Sequence, residues 1–225
     1  MRYACVEMGL RERKKQQTRQ LIADTAWRLF ADRGFDRVTV AEVAREAEVA
    51  LATVFNYFPT KEDLFYSRLE AFGQRMVEAV ASRRGGEPAL VALRRFLLAS
   101  GGLVAQVEAG DPEAVERLRT VNRVIADSPA LQARERQVIA RYADSLAELL
   151  AGELGVPPDD VEVRVAANAM IGVHATLLDF TRRRVLADDR LERLAGDLRE
   201  AGRRAFALLE RGLGDYAPKP KAGSG

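Results

Sequence analysis

The sequence predicts an all-α fold, in which a three-helix helix-turn-helix unit precedes a larger helical bundle, and three observations support this prediction. The 225 residues are 48% hydrophobic, 30% charged and only 7% aromatic. Ala, Leu, Arg and Glu, which are strong helix formers, dominate the composition. Gly and Pro divide the chain into pieces of helix length, and capping signals open several of them. A sheet-rich fold is therefore not expected.

Charge and residue counts exclude several classes of function. Lys and Arg number 35 against 33 Asp and Glu, a formal net charge of +2, so a basic patch can only be local. The single cysteine, Cys5, excludes a disulfide framework, and the single histidine, His174, excludes metal motifs that need two. Phosphate-binding loops and nucleophile motifs are also missing from the sequence. We therefore predict no metal, no cofactor and no catalytic centre.

No segment of the sequence has the pattern of a secretory signal or a membrane span. Residues 1–10 hold no apolar stretch of seven residues. The longest uncharged segment, residues 165–178, is shorter than the roughly 20 apolar residues that cross a bilayer. We therefore expect a cytoplasmic protein, translated from Met1 or Met8.

The first predicted helix spans residues 17–33 and ends before Gly34, a residue suited to the left-handed position after a helix. Its apolar residues lie on one face, at Ile22, Ala26, Leu29 and Phe30. Residues 1–16 are predicted to form a flexible basic arm, since residues 8–20 carry five basic side chains and one acidic one. Such an arm can bind phosphates or a minor groove; a solvated terminus is the alternative.

Two capping boxes define the next helices. Thr39 stands three residues before Glu42 and opens a helix through residue 47, and Thr60 stands three residues before Asp63 and opens a long helix through residue 80. A short helix over residues 51–58 fits between the boxes. The remainder predicts five long helices, over residues 88–101, 111–127, 128–155, 159–184 and 188–212. Residues 215–225 are predicted to be a disordered tail.

The last predicted helix carries apolar residues at alternating spacings of three and four, a pattern typical of packed helix pairs. Such a seam suits either a core helix of the same chain or a contact between subunits. Arginines on the opposite face would keep that face soluble. We predict that the seam is the interface of a homodimer, formed by Leu191, Leu194, Leu198, Ala201, Ala205 and Leu208.

The three short N-terminal helices, with a tight turn at residues 46–49, have the layout of a helix-turn-helix DNA reader. Val54 and Phe58 should face the small core. The outer surface of the third helix then presents Leu51, Ala52, Thr53, Phe55, Asn56 and Tyr57. Thr and Tyr hydroxyls are ordinary phosphate donors, and an Asn amide can read the edge of a base.

Residues 39–64, TVAEVAREAEVALATVFNYFPTKEDL, resemble the DNA-binding domain of the TetR family of transcriptional regulators. The resemblance covers residues 18–64. It implies a DNA-binding domain over residues 17–64 and an effector-binding and dimerisation domain over residues 65–214. It also implies that a dimer reads a palindromic operator, most often as a repressor. Its two departures are Glu48, where the family has glycine, and Ala50, where it has a capping serine.

Carried over residue by residue, the resemblance predicts the contacts to DNA. Asn56 stands where a base contact is common, and the other positions touch phosphates or pack on the DNA backbone. The predicted DNA-binding residues are Arg19, Thr39, Ala50, Leu51, Thr53, Phe55, Asn56, Tyr57 and Lys61. An interaction scaffold, or a helical dimer that binds no DNA, is the alternative function.

The resemblance also implies a small-molecule effector held among the long helices. Polar groups on apolar stripes, apolar residues and arginines are candidates to line its pocket, although His174 could equally be a core residue and the arginines surface residues. The candidates are Phe96, Leu103, Arg119, Asn122, Arg123, Tyr142, Asn168 and His174. Residues 55–64 and 128–136 resemble a branch of the family that senses acyl-CoA-like compounds. A flat hydrophobic molecule is the competing prediction.

Overall fold

The computed structural model describes residues 10–99, 108–188 and 190–213, and within these ranges every regular element is a helix. The all-α prediction is confirmed. The helices are α1 (Leu10–Arg33), α2 (Val40–Glu46), α3 (Leu51–Tyr57), α4 (Lys61–Ala81), α5 (Ala89–Leu98), α6 (Pro112–Asp127), α7 (Pro129–Leu154), α8 (Val161–Leu186) and α9 (Leu194–Leu213). A 3₁₀ turn, Leu191–Arg193, precedes α9.

The contacts within the chain divide it into an N-terminal unit, residues 1–68, and an effector unit, residues 69–225. The division falls inside α4, four residues beyond the predicted boundary after residue 64. Helix α4 is continuous there, so its sequence contains no turn or linker that could mark the division. The predicted tail over residues 215–225 lies outside the described residues.

Aromatic and aliphatic side chains fill the core of the N-terminal unit. Ile22 and Phe30 of α1 are buried with Val54 of α3. The ring of Phe35 stands 5.0 Å from that of Phe30 and 6.0 Å from that of Phe65, which it meets edge to face. Rings at these spacings gain from their geometry as well as from burial. This core supports α3 from behind.

Helix α1 begins at Leu10, seven residues before the predicted start at residue 17. The flexible arm predicted over residues 1–16 is therefore wrong for residues 10–16, and residues 1–9 lie outside the described part of the chain. The physical reason is composition. Residues 10–17 are Leu, Arg, Glu, Lys and Gln, which all favour a helix, and neither Gly nor Pro interrupts them.

Side-chain caps begin several helices at the predicted places. The amide of Glu42 donates to the Thr39 hydroxyl over 3.2 Å, and the Thr39 amide donates to the Glu42 carboxylate over 2.8 Å. The same exchange joins Thr60 and Asp63, over 3.2 and 3.0 Å. Both predicted capping boxes are therefore formed. The boxes satisfy amide groups that the first turn of a helix leaves unpaired.

The dimer seam predicted on the last helix is wrong for its first two residues. Leu191 and Leu194 are buried in a core cluster of their own chain, together with Ala114, Leu118 and Val185. Residues enclosed in this way cannot also face a second subunit. A periodic apolar pattern shows that a face is covered and leaves open which helix covers it. Of the other seam positions, Leu208 is 62% exposed, while Leu198, Ala201 and Ala205 are half-buried.

Helix α8 is the one described helix that is long and apolar enough to pass a length-and-composition test for a membrane span. Much of its apolar surface is enclosed by the chain, since Met170, Ile171 and Leu177 are buried. This burial is that of a core helix of the bundle.

A fully buried arginine follows the end of α4. The Arg83 side chain has no exposed surface, and its Nε donates to the Glu87 carbonyl and its Nη1 to the Val80 carbonyl, both over 2.9 Å. Its two terminal nitrogens donate to the Glu153 carboxylate of α7 over 3.0 and 2.5 Å. Burial of this charge is tolerated because each nitrogen has an acceptor. The pair fixes the C-terminal end of α4 against the C-terminal end of α7.

Replacing Arg83 with methionine is expected to destabilise the protein, because Glu153 would keep its charge and lose its partner. Urea denaturation should show that Arg83→Met lowers the free energy of unfolding by roughly 3 kcal/mol. The matched control is Arg84→Met, at the exposed neighbouring position, which should change it by less than about 0.5 kcal/mol. Equal stabilities for the two variants would contradict the role given to the buried pair.

Candidate DNA interface and effector site

The outer face of α3 is open to solvent. Leu51 and Phe55 are each 44% exposed, Asn56 is exposed, and Thr53 and Tyr57 are half-buried. Val54, on the inner face, is completely buried. Large apolar side chains on a free helix face indicate a surface that another molecule covers. The face also holds hydroxyl and amide groups that can bond to phosphates and base edges.

The turn before α3 keeps the two unusual residues noted in the sequence. Glu48 adopts φ = 54°, in the left-handed region where glycine is favoured. Ala50 is the N-cap residue of α3 and provides no side-chain hydrogen bond. The turn is instead closed by the backbone, because the Val49 amide donates to the Ala44 carbonyl over 3.0 Å. The helix-turn-helix geometry is therefore preserved at some cost in backbone strain.

Three predicted phosphate contacts have partners within the unit. The Thr39 hydroxyl donates its hydrogen to the Glu42 carboxylate over 2.9 Å. The Lys61 ammonium lies 4.2 Å from the ring centroid of Phe35, and the Arg19 guanidinium lies 4.9 Å from that of Phe58. Partial burial lowers the pKa of Lys61, and nearby acidic residues oppose that shift. Aromatic faces thus hold two cations at the surface of the unit.

Acidic residues of α2 are paired with arginines of α1. Arg28 donates to Glu46 over 2.8 Å, and Arg33 donates to Glu42 over 3.0 Å. The hydrogen bond from Arg28 lowers the pKa of Glu46, while hydrogen bonds from Thr39 lower that of Glu42. Both carboxylates are therefore charged at neutral pH, with a basic group beside each.

Four rings from four helices form an aromatic cluster in the effector unit. The ring of Phe72 is stacked on that of His174 with centroids 5.3 Å apart, and it lies 5.3 Å from Phe96. The Tyr142 ring stands 6.3 Å from His174. His174 and Tyr142 are buried, whereas Phe72 and Phe96 are half-buried. Three residues predicted separately as pocket residues are thus brought together.

Burial determines the protonation state of His174, a polar member of this cluster. Burial lowers its pKa from 6.5 to about 4, and no charged group contributes to the shift. The imidazole is therefore neutral at physiological pH. No hydrogen bond to it is recorded in the described part of the chain. A neutral imidazole carries one donor and one acceptor nitrogen.

The other predicted pocket residues do not join the cluster. Asn168 is exposed and donates to the Arg164 carbonyl over 2.7 Å, so its prediction as a pocket residue is wrong. Asn122 is buried, and its amide donates to the Leu118 carbonyl over 2.8 Å. Arg119 and Arg123 instead border a separate cavity of about 150 Å³, with Val185, Leu186 and Asp188. Leu103 lies outside the described residues.

Two residues of the site were missed by sequence reasoning, Phe72 and Gly73. A Cβ atom on Gly73 would lie 1.9 Å from Cε1 of Tyr142, so the absence of a side chain lets that ring lie against α4. The available signal was a glycine inside a strongly predicted helix. Such a glycine costs stability unless close packing requires it.

A helix-turn-helix unit with an open third helix, joined to a helical unit with a buried aromatic site, defines a DNA-binding regulator with its own sensor domain. The model of bacterial regulatory proteins of the tetR family matches residues 22–67. The model of the MftR C-terminal domain matches residues 98–214, over half of the chain. The chain belongs to the TetR family.

Individual relatives agree with this assignment. The transcriptional regulator TcmR of Streptomyces glaucescens is 29% identical over 68% of this chain and 67% of its own length. MftR of Mycobacterium tuberculosis is 30% identical over 72% of this chain and 78% of its own length. The solved structure of SmeT, repressor of the Stenotrophomonas maltophilia efflux pump SmeDEF, shares the fold.

The match to SmeT has a TM-score of 0.52 and 20% identity over 91% of this chain and 95% of that one. Family membership makes this chain a ligand-responsive transcriptional regulator, in a family whose members typically repress transcription. Such regulators bind operator DNA and small molecules and act as dimers.

Adding a methyl group at Gly73 is expected to displace the Tyr142 ring and destabilise the effector unit. Gly→Ala inside a helix normally raises stability by up to about 1 kcal/mol, whereas Gly73→Ala should lower the free energy of unfolding by roughly 1 to 3 kcal/mol because of the overlap. Gly152→Ala is the matched control, since a Cβ there meets nothing within 4 Å. Thermal and urea unfolding measure both, and stabilisation by both substitutions would refute the close packing.

Proposed function

We propose that this chain represses transcription in the cytoplasm by binding a palindromic operator as a homodimer, and that a small hydrophobic molecule releases it. The observation that carries the proposal is the open, uncharged outer face of α3 on a capped three-helix unit. It acts by binding alone, without catalysis or a cofactor. DNase I footprinting of the DNA flanking its gene tests the proposal; absence of a protected palindrome would reject it.

The contacts to DNA divide into two kinds. The Asn56 amide, exposed on α3, pairs with a base edge in the major groove, since an asparagine can bond adenine through two atoms. Thr53, Tyr57 and Lys61 contact phosphates, while Leu51 and Phe55 pack on sugar and thymine methyl groups. Arg13, Lys14 and Lys15 are exposed on the first turns of α1 and add phosphate contacts from a helix.

We place the dimer interface on α8, because the structure leaves an apolar stripe there uncovered. Val161 is 74% exposed and Val165 is 60% exposed, and Gly172 and Thr176 continue the same face at helical spacing. A Cβ on Gly172 would meet nothing within 4 Å of its own chain. A glycine that its own chain does not require suits the close approach of a second helix.

Polar side chains on this stripe are turned back onto their own helix. The Thr176 hydroxyl donates to the Gly172 carbonyl over 2.8 Å, and the Asn168 amide donates to the Arg164 carbonyl over 2.7 Å. These bonds satisfy the polar atoms locally, so a second subunit can cover the stripe with few unpaired groups. Two copies of α8 crossing at this stripe would bury the exposed valines.

The aromatic cluster supports a hydrophobic effector more than an acyl-CoA-like one. A CoA moiety needs cations for its phosphates. Arg119 is committed to Asp188 over 2.5 Å, and Arg182 is committed to Glu135 over 2.7 Å. A ligand releases the operator by binding more tightly to a conformation in which the two copies of α3 no longer match the operator half-sites.

Removing the Asn56 amide is expected to relax the choice of base at one position of each half-site. Across single base-pair variants of the protected operator, Asn56→Ala should lose about 1 to 3 kcal/mol of discrimination at that position and retain it elsewhere. Tyr57→Phe is the control for a phosphate contact, and it should weaken binding to every variant by the same factor. Unchanged base preference in the Asn56 variant would show that it reads no base.

An aspartate at Val165 is expected to separate the dimer, because each interface would bury two unpaired carboxylates. Analytical ultracentrifugation should show that Val165→Asp raises the dimer dissociation constant by more than roughly a hundredfold, and operator affinity should fall with it. Leu208→Asp, on the exposed face of α9, is the matched control and should remain dimeric. A dimeric Val165 variant with a monomeric Leu208 variant would move the interface to α9.

A further inference from the structure

We propose that the aromatic cluster is the binding site for an uncharged aromatic molecule, whose hydroxyl or carbonyl group bonds to His174. This inference rests on the proposed function, in which the effector unit binds a small molecule. It adds the chemical class of that molecule and the one polar contact that orients it.

The rings of the cluster offer the faces that an aromatic ligand needs. Phe72 and Phe96 come from α4 and α5, and Tyr142 and His174 come from α7 and α8, so the cluster lies where four helices meet. The two phenylalanines are half-buried and therefore keep ring surface uncovered. Aromatic rings favour offset-stacked or edge-to-face contacts with a further ring at about 4.5 to 7 Å. A planar ligand fits this geometry better than a flexible chain.

His174 supplies a polar group beside those rings. Its side chain is 8% exposed, and no hydrogen bond to its ring nitrogens is found within the part of the chain that the structure describes. Buried polar groups are nearly always hydrogen-bonded, since an unpaired one carries the full cost of its desolvation. A ligand hydroxyl or carbonyl would give one ring nitrogen a hydrogen-bond partner.

The electrostatics of the cluster select against an anionic ligand. Burial alone lowers the pKa of His174 to about 4, and no acidic or basic side chain contributes to that shift. To form an ion pair with a carboxylate, the imidazole would have to be protonated, which at pH 7 opposes its pKa by roughly a thousandfold; the neutral ring could offer only one N–H hydrogen bond. Two arginines of the effector unit are paired with acidic residues, Arg119 with Asp188 and Arg182 with Glu135.

Three naphthyl probes of the same size test the inference: 2-naphthol, naphthalene and 2-naphthoate. Equilibrium dialysis against the full chain should give 2-naphthol about tenfold tighter binding than naphthalene, the gain from one buried hydrogen bond, and 2-naphthoate should bind more weakly than 2-naphthol. His174→Phe keeps an aromatic ring at this position and removes both ring nitrogens. This variant should therefore bind 2-naphthol and naphthalene equally. Glu162→Gln, at an exposed position of the same helix that lies off the proposed dimer stripe, is the control and should bind as the wild type does.

Because His174 is the only histidine in the chain, one pair of imidazole nitrogen resonances reports the site without any substitution. In ¹⁵N-histidine-labelled protein, 2-naphthol should shift these resonances and naphthalene should leave their tautomer pattern unchanged. This measurement holds even if His174→Phe fails to fold.

The inference is overturned by any of four results: equal binding of 2-naphthol and naphthalene, tighter binding of 2-naphthoate, a naphthol preference that persists in His174→Phe, or no binding of any probe. Operator footprinting on the same samples distinguishes failure of the aromatic-ligand proposal from failure of the proposed regulatory function. Protection of a palindrome without probe binding rejects the aromatic ligand and leaves the regulator intact. If the wild-type protein protects no palindromic operator, the proposed function itself is rejected.

Discussion

The buried ion pair between Arg83 and Glu153 sets the position of α4 against α7, and the aromatic cluster depends on that position. Gly73 and Tyr142 form a second contact between the same helices, ten and eleven residues earlier in each. At 1.5 Å per residue, the two contacts are about 15 Å apart along both axes. Two such points align a pair of helices side by side. The alignment brings Phe72, next to Gly73, against His174 of α8.

Helix starts that depend on neighbouring residues could be predicted from the sequence. Thr39 bonds within three residues of itself, and Asp111 and Ser128 cap helices that begin with proline, so each signal lies within one turn. The start of α1 was missed because residues 10–16 form helix by composition and carry no such signal. A basic, polar segment looks the same in sequence whether it is an arm or about two extra turns of helix.

The partner of a side chain could not be predicted when it comes from distant sequence. Arg119 looked available for a ligand, yet its partner Asp188 is 69 residues away. The seam of α9 was assigned to a second subunit, although Leu191 and Leu194 close over α6 and α8 of their own chain. Phe96, Tyr142 and His174 could each be identified as candidates. Their meeting around Phe72 follows from helix packing, which residue patterns on single helices do not contain.

In the proposed DNA complex, the charge distribution of the N-terminal unit separates affinity from base recognition. Residues 1–64 carry 11 basic and 10 acidic side chains, so the segment is nearly neutral. Glu42 and Glu46 are paired with arginines of α1, while Lys14 and Lys15 are exposed at the start of that helix, and α3 carries no charged residue. Attraction to phosphates falls with salt, whereas hydrogen bonds and apolar contacts to bases depend on it little. In the proposed DNA complex, salt would therefore change how tightly DNA is held through α1, and the choice of sequence would depend on α3.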